Sequence, residues 1–211
     1  MFVTFEGIDG AGKTTILEQI AQELASKNIP YCQTREPGGS SLGVALRKQV
    51  LYGVESIHPK AELFLFLADR AQHLAEVIRP ALAAKKIVLC DRYVDSTLAY
   101  QVYGRGMDLA ELRLLNELAT QNLQPDLTLL FDLDVLFGLQ RAQKRNSLES
   151  HNLGADRFDQ ETVDFHTRVR AGYLEEAKLH PKRYVQIDAS QPVEQVLAAC
   201  RKILWQRLDL E

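Results

Sequence analysis

The stretch FEGIDGAGKTT, residues 5–15, contains the spacing G-x-x-x-x-G-K-[ST], with Gly7, Gly12, Lys13 and Thr14 at its fixed positions. Glycines at this spacing let the backbone curl so that several N–H groups point at one anion, and the helix that follows adds its positive end. The lysine can reach the outer phosphates of a nucleoside triphosphate, and the threonine hydroxyl can ligate Mg²⁺. We therefore expect a site for a nucleoside triphosphate and Mg²⁺ at this loop.

The residues on either side of this loop supply the context that such a loop requires. Residues 1–5 form a short apolar run typical of a strand, and apolar residues recur at helical spacing over residues 16–24. The alternative is a glycine-rich turn that matches by accident, and the order of strand, loop and helix argues against it. The residues expected to contact the triphosphate are Gly7, Ile8, Asp9, Gly10, Ala11, Gly12, Lys13, Thr14 and Thr15.

The composition is that of an ordinary globular domain. The chain has 211 residues, of which 46% are hydrophobic and 25% are charged, so we expect a single domain over residues 1–211. Its 25 basic and 28 acidic residues nearly balance, which argues against a general nucleic-acid-binding surface. The absence of a membrane-length apolar run and of a signal peptide pattern leads us to expect a cytoplasmic protein with no membrane partner.

The cysteines are expected to be structural rather than reactive. Cys32, Cys90 and Cys200 are odd in number and far apart in the chain, and the first two lie in apolar, strand-like runs. Buried free thiols in a reducing compartment therefore explain them better than a disulfide or a metal site.

Five strand-like runs alternate with helical patterns along the chain. They cover residues 1–5, 31–34, 87–90, 127–132 and 184–188, and each connection is long enough for a crossover. This order predicts an α/β fold with a five-stranded parallel sheet and helices on both faces. Ligands of such folds bind at the carboxyl ends of the strands.

Several polar residues directly follow these strands and should therefore meet at one rim of the sheet. They are Glu36, Asp91, Arg92 and Asp188, in addition to the glycine-rich loop. An aspartate at the end of a buried strand can hold Mg²⁺ through water, and the arginine beside it can grip a phosphate with its planar fork. The alternative for Asp91 and Arg92 is an ordinary ion pair in a loop.

Residues 60–84 form the longest helical pattern, with a kink expected near Pro80. One apolar stripe consists of Phe64, Ala68, Ala71, Ala75 and Ile78. Phe66, Arg70 and His73 lie on the opposite face of the helical wheel. There, the aromatic ring could stack on a base while the arginine bonds its edge, or the face could pack on another part of the protein with a solvated arginine.

The segment over residues 142–156 loses the apolar period and contains arginine and hinge-like residues, which is typical of a lid. A solvated surface loop is the alternative. Asp134 is expected to cap the helix that precedes this segment, and Phe158 to open the helix that follows it. For residues 96–106 we expect a short helix and a loop.

Several motifs together strongly resemble those of the thymidylate kinase family, in the bacterial form with lid arginines. The resemblance runs from residue 2 to about residue 200 and is carried by FEGIDGAGKTT at 5–15, TREPGG at 34–39, DRY at 91–93, ST at 96–97, YQ at 100–101, GRG at 104–106 and PDLT at 125–128. It implies a P-loop nucleoside-triphosphate hydrolase fold of the nucleoside monophosphate kinase type. It also implies transfer of the ATP γ-phosphoryl group to dTMP, giving dTDP and ADP, by a homodimer.

The resemblance also implies roles for residues around the deoxynucleoside. Asp9 matches the carboxylate that meets the 3′-hydroxyl of the deoxyribose. Phe66 would stack on thymine and Arg70 would bond its O4 edge. Ser96 and Gln101 match positions that contact the base.

Further roles implied by the resemblance concern the phosphates and the sugar. Arg92 would bind the phosphate of dTMP, with Glu36 and Arg47 nearby. Tyr100 matches the aromatic residue that crowds C2′ and so favours a deoxyribose. Thr14 would hold Mg²⁺, together with Asp91, for which the end of a buried strand already suggested that role.

A further expectation concerns the residue that supplies positive charge for catalysis. Gly10 stands where some family members carry a catalytic arginine, so the charge must come from elsewhere. We expect Arg145 of the lid to supply it with support from Arg141 and Arg157, and Lys13, Asp91 and Arg92 to complete the catalytic set.

A kinase for another nucleotide or a deoxynucleoside is the alternative enzyme. A non-catalytic GTPase switch would normally contain Asn-Lys-x-Asp, and no asparagine of the sequence begins one.

Overall fold

One parallel sheet of five strands forms the centre of the molecule. The computed structural model describes residues 1–53, 56–149 and 156–209. Its strand order is β2-β3-β1-β4-β5, and all neighbouring strands are parallel, which confirms the predicted sheet. The strands are β1 (Phe2–Glu6), β2 (Tyr31–Arg35), β3 (Ile87–Asp91), β4 (Leu127–Asp132) and β5 (Tyr184–Asp188).

Helices connect the strands and cover the sheet. In chain order they are α1 (Lys13–Ser26), α2 (Ser41–Lys48), α3 (Pro59–His73), α4 (Arg79–Ala83), α5 (Val94–Thr97), α6 (Leu109–Thr120), α7 (Val135–Glu149), α8 (Val163–Leu179) and α9 (Val193–Arg207). Three π-helical segments extend or link them, over Gln49–Gly53, Leu74–Ile78 and Leu98–Gly104. Within the described parts of the chain, no helix has the length and apolar character needed to cross a membrane.

The central strand β1 is buried on both faces, and its side chains alternate between two apolar clusters. Val3 and Phe5 pack with residues of α1, α8 and α9 on one face. Phe2 packs with Leu74 and Ile78 on the other face. This alternation follows from the two-residue period of a strand and confirms that helices cover both faces of the sheet.

The face of α3 that packs against the protein differs from the apolar stripe of the sequence. The stripe is exposed apart from Ile78, and its other members are Phe64, Ala68, Ala71 and Ala75. The opposite face is buried and carries Leu63 and Leu67 together with Arg70 and His73. Arginine and histidine can be buried here because their polar groups are paired, as described below.

The boundaries of three other segments correct the sequence-based expectations. The chain remains helical up to Gly104, where a loop was expected after a short helix, and α7 extends through Glu149, so that the first half of the predicted lid is helical. Residues 150–155 of the predicted lid lie outside the described residues. Phe158 lies in a turn, and α8 begins at Val163, because the side chain of Thr162 caps it by accepting from the N–H of Phe165.

Side chains cap two other helices, and one of them is the expected Asp134. Ser40 caps α2 by accepting from the N–H of Gly43, and Asp134 accepts from the N–H of Leu136 at the start of α7. The π-helical segment Leu74–Ile78 precedes Pro80, whose ring and missing N–H prevent a regular hydrogen-bond pattern there.

Candidate active site

The glycine-rich loop between β1 and α1 has a shape that only glycine permits at two positions. Gly10 has a φ of 76° and Gly12 a φ of 86°, in the left-handed region. A Cβ atom on Gly10 would collide with the backbone carbonyl of Gly138 in α7, so this loop and α7 touch backbone to backbone. We call residues 7–14 the P-loop. An arginine at position 10 does not fit this arrangement.

The two functional side chains at the start of α1 are held in place by neighbouring groups. The ammonium of Lys13 donates to the carbonyl of Ile8 over 2.8 Å, and burial, reinforced by Arg92, lowers the pKa of Lys13 to about 8. The hydroxyl of Thr14 donates to Oδ2 of Asp91 over 2.5 Å. Oδ1 of Asp91 is buried and has no hydrogen-bond partner among the described residues. The strand end and the helix start thus meet, as the sequence predicted.

Two adjoining cavities open at this rim. The larger one, which we call the P-loop cavity, has a volume of about 860 Å³ and lies over the P-loop, Asp91 and α7. The smaller one, which we call the Phe66 cavity, has a volume of about 100 Å³. Both are lined by Asp9, Glu36, Arg47, Arg92 and Asp156. The Phe66 cavity is also lined by Phe66, Arg70, Ser96, Thr97, Tyr100, Gln101 and Phe158.

Arg92 lies at the wall that the two cavities share. Its guanidinium donates to Asp9 over 2.7 Å, to the hydroxyl of Tyr173 over 3.0 Å and to that of Tyr100 over 3.2 Å. Burial alone would raise the pKa of Asp9, but Arg92 and Lys13 hold it below its usual range. The backbone of Arg92 has a φ of 69°, a conformation that costs about 1–3 kcal/mol in a non-glycine residue and marks a site that its surroundings fix.

Arg70 is buried, with 2% of its surface exposed, and nearly all of its donors are in use. Nε donates to Glu36 over 2.8 Å, and Nη1 donates to Thr97 over 2.7 Å and to Asn116 over 2.8 Å. Nη2 donates to the carbonyl of Tyr93 over 2.9 Å. Because arginine has five N–H donors, one N–H on Nη2 has no partner among the described residues, and Arg70 lines the Phe66 cavity. The expected alternative of a solvated arginine is therefore wrong.

The other predicted base-contacting residues also line the Phe66 cavity. Phe66 lies with its ring 6.1 Å from that of Phe158. Gln101 is 1% exposed and donates from Nε2 to Glu62 over 2.8 Å. The hydroxyl of Ser96 donates to Glu6 over 2.6 Å.

Comparison with known proteins gives a consistent result. A family model described as thymidylate kinase matches residues 5–200. A thymidylate kinase of Desulfovibrio desulfuricans is 54% identical over 205 residues, covering 97% of this chain and 94% of the relative. One of Nitratidesulfovibrio vulgaris is 52% identical over 198 residues, covering 93% and 88%. A solved thymidylate kinase structure, from Ehrlichia chaffeensis, has a TM-score of 0.76 and 34% identity and covers 97% of both chains.

The chain belongs to the thymidylate kinase family.

In this thymidylate kinase family member, α7 carries two of the three lid arginines that the sequence singled out. Arg141 donates to the carbonyl of Ala189 over 3.2 Å, and Arg145 lies 3.9 Å from Asp159 with 46% of its side chain exposed. Both line the P-loop cavity. Arg157 lines neither of the two cavities and donates instead to Glu62 over 2.5 Å, so the structure does not bring it to the triphosphate site.

Around Glu36, the thymidylate kinase fold builds a buried polar network. Glu36 accepts from Arg70 and also lies 2.9 Å from Nδ1 of His73. Arg47 donates to the carbonyl of Pro37 over 2.9 Å, so both predicted residues lie at the shared wall. The network also includes Asp69, whose pKa is raised to about 6 by burial and by the charge of Glu36.

Several residues that orient the site in this thymidylate kinase were missed from the sequence. Thr97 and Asn116 hold Arg70, Tyr173 holds Arg92, and Glu62 holds Gln101. A signal did exist for Asn116, because it falls on the buried stripe of α6 between Leu112 and Thr120. A polar residue on an apolar stripe needs a buried partner, but the sequence does not name that partner.

Proposed function

We propose that the P-loop cavity binds ATP and Mg²⁺, that the Phe66 cavity binds dTMP, and that Arg92 aligns the acceptor phosphate between them. As a thymidylate kinase family member, the chain is an ATP-dependent kinase that phosphorylates dTMP to dTDP. The observation that supports this assignment of residues is that the two cavities share part of their lining. Asp9 and Arg92 line both cavities, so a donor phosphate on the P-loop and an acceptor beside Phe66 would face each other.

For Mg²⁺, the residues present fit the ion. Thr14 and Asp91 supply oxygen atoms at one point, and the unpartnered Oδ1 of Asp91 is an acceptor that a cation would satisfy. Mg²⁺ prefers a site with few protein oxygens, completed by phosphates and water. When bound, the ion neutralises charge on the β- and γ-phosphates.

For dTMP, the Phe66 cavity offers an aromatic ring that can stack on the base and polar groups that can bond its edge. The ring of Phe66 would stack on thymine, and the remaining N–H of Arg70 would donate to O4. Gln101 lies at the same wall for the base. Asp9 would accept from the 3′-hydroxyl, and Tyr100, which donates to Asp9 over 2.8 Å, would crowd C2′.

The transfer needs alignment and neutralisation of charge more than proton transfer, because the acceptor is already a phosphate oxygen. The bond from the γ-phosphorus to the β–γ bridging oxygen breaks, and a bond to an oxygen of dTMP forms. Lys13 and Arg92 would stabilise the phosphoryl oxygens. Arg145 would add charge from α7, since position 10 has no room for an arginine, and residues 142–156 would act as a lid within a single domain over residues 1–211.

The test is an ADP-release assay with Mg·ATP and a panel of acceptors: dTMP, dUMP, dCMP, dGMP, UMP and thymidine. We expect dTMP to have the highest kcat/KM, and we expect dCMP in particular to be a poor acceptor, since the donor of Arg70 matches O4 of thymine but not the amino group of cytosine. A higher kcat/KM for dCMP or a purine nucleotide would contradict the assignment of Phe66, Arg70 and Gln101.

We also propose a homodimer formed through α2, α3 and α6. Large apolar side chains on these three neighbouring helices are exposed, namely Leu42, Val44, Phe64, Leu114 and Leu118. A patch of this kind is typical of a protein–protein interface. The free cysteines support a reducing, cytoplasmic location.

A further inference from the structure

We propose that the buried carboxylate of Glu62 determines which base the Phe66 cavity accepts, by fixing the orientation of the Gln101 amide. The inference rests on the proposed contact between Gln101 and the base. Glu62 lies in α3 and has no exposed surface. Its Oε1 accepts from Nε2 of Gln101 over 2.8 Å, and Gln101 in turn lines the Phe66 cavity, which Glu62 does not.

Both carboxylate oxygens of Glu62 accept hydrogen bonds, and two arginines donate to them. Its Oε2 accepts from Nη2 of Arg157 over 2.5 Å and from Nη2 of Arg105 over 3.1 Å. Its Oε1 lies 3.3 Å from Nε of Arg105. With both oxygens paired to guanidinium groups, Glu62 acts as an acceptor, and Gln101 turns its Nε2 toward it.

This orientation leaves Oε1 of Gln101 as the group for a ligand. In the described parts of the chain, Oε1 accepts no hydrogen bond, and it is not among the buried atoms that lack a partner. Gln101 and Arg70 both line the Phe66 cavity, so its wall offers one acceptor from Gln101 and, from Arg70, the Nη2 N–H that Tyr93 does not use.

The two fixed groups match thymine and oppose cytosine. The Watson–Crick edge of thymine carries the O4 acceptor and the N3–H donor, so both groups find a partner. Cytosine reverses both, with an N4 amino donor and an N3 acceptor. The N4 amino group of cytosine would face the donor of Arg70, and its N3 would face the acceptor Oε1 of Gln101. Leaving these buried groups without partners would disfavour cytosine strongly relative to thymine.

The variant Glu62→Gln should change the group that Gln101 presents to the base from an acceptor to a donor. The oxygen of the new amide would stay at the position of Oε2, which accepts the two shorter bonds from Arg157 and Arg105, and only the 3.3 Å contact of Arg105 Nε with the position of Oε1 would be lost. The nitrogen of the new amide would then take the place of Oε1 and donate to Gln101. Gln101 would turn over and present Nε2 to the base, which suits N3 of cytosine and opposes N3–H of thymine.

The experiment measures kcat and KM for dTMP, dCMP and ATP with the full-length chain. For Glu62→Gln we expect the ratio of kcat/KM for dTMP to that for dCMP to fall by about tenfold or more. The change should lie mainly in the KM of the acceptor, with the KM of ATP within about twofold of the wild type. Glu62→Asp, which keeps a carboxylate, should retain a ratio closer to the wild type.

Two controls separate orientation from loss of charge balance. Arg105→Gln removes one partner of Glu62 but keeps the carboxylate, so the ratio should stay near the wild-type value. The double variant Glu62→Gln/Arg105→Gln restores the charge balance and should show the same fall as Glu62→Gln, which keeps the test decisive if the single variant fails to fold.

The outcomes distinguish this inference from the proposed function. If Gln101→Leu lowers kcat/KM for dTMP but neither Glu62→Gln nor the double variant changes the ratio, the role of Glu62 is wrong and the base contact stands. If Arg105→Gln lowers the ratio as much as Glu62→Gln, local charge rather than amide orientation is responsible, and the inference is overturned. If Gln101→Leu leaves kcat/KM for dTMP unchanged, the base contact itself is wrong.

Discussion

Lys13 is a buried residue of the P-loop, and its protonation decides whether its side chain can neutralise a phosphate. Burial, reinforced by the charge of Arg92, lowers the pKa of Lys13 to about 8 against the opposing effect of Asp91 and Asp9. Below that pH the side chain is an ammonium, and above it the free protein loses this positive charge. Bound triphosphate would favour the charged form and raise the pKa again.

We therefore predict different pH profiles for the two kinetic constants. The kcat/KM for ATP reports groups of the free enzyme and should fall above about pH 8, approaching tenfold per pH unit. The kcat reports the bound state and should stay flat to a higher pH. Steady-state rates between about pH 6.5 and 10 test this. A kcat/KM that stays constant to pH 10 would show that Lys13 is not the titrating group.

Sequence reasoning located the residues that belong to local motifs and missed those that act through distant partners. Lys13 and Thr14 follow from the spacing of one loop, and Asp91 follows from the end of one strand. Asn116 and Glu62 were not found, because each acts through a hydrogen bond to a residue tens of positions away. Such pairs are set by how helices pack, which one sequence does not specify.

At the scale of elements, α7 extends from the P-loop into the segment proposed as the lid. It touches the loop at Gly138 and carries Arg141 and Arg145 one and two turns further along, on the side that lines the P-loop cavity. The two arginines that would add charge to that of Lys13 and Arg92 therefore come from one helix rather than from separate loops.

The variant Arg145→Ala should lower kcat by about 100-fold or more, because it removes charge that is needed when the phosphoryl group moves. Its KM for ATP should change by less than about fivefold, since the P-loop retains its contacts. The matched control is Lys144→Ala, an exposed neighbour that does not line the cavity, with kcat expected to remain near wild type. Wild-type turnover in Arg145→Ala would move the role to another arginine.

Element existence was easier to predict from the sequence than element ends or buried faces. All five strands and the long helical pattern at 60–84 were found, because their apolar periods are strong. The apolar stripe with Phe64 and Ala68 suggested the wrong buried face for α3. The sequence alone does not show which apolar face of a helix packs against the rest of the chain. The start of α8 was placed at Phe158 because the cap at Thr162 was not recognised.

At the scale of the whole molecule, the exposed apolar side chains of α2, α3 and α6 lead to a prediction about mass. The wild-type protein should have twice the chain mass of 23.8 kDa in solution. Leu118→Asp places a charge on a side chain that is 76% exposed and should yield the monomer without loss of folding. Light scattering after size exclusion measures both.

The matched control for this prediction is Val163→Asp. Val163 is also exposed but begins α8, outside the proposed interface, and a carboxylate is favourable in the first turn of a helix. It should leave the mass unchanged. A wild-type protein with the mass of one chain would contradict the proposed homodimer.

The backbone contact between Gly10 and Gly138 is the point about which α7 would tilt relative to the P-loop. Arg145 lies seven residues beyond the pivot, which is about 10 Å along a helix. A tilt of about 10° at the contact would therefore carry Arg145 through about 2 Å, the difference between touching a phosphate and missing it. Since neither glycine leaves room for a side chain, any change in the curvature of the loop would reach α7, and with it Arg145, by direct backbone contact.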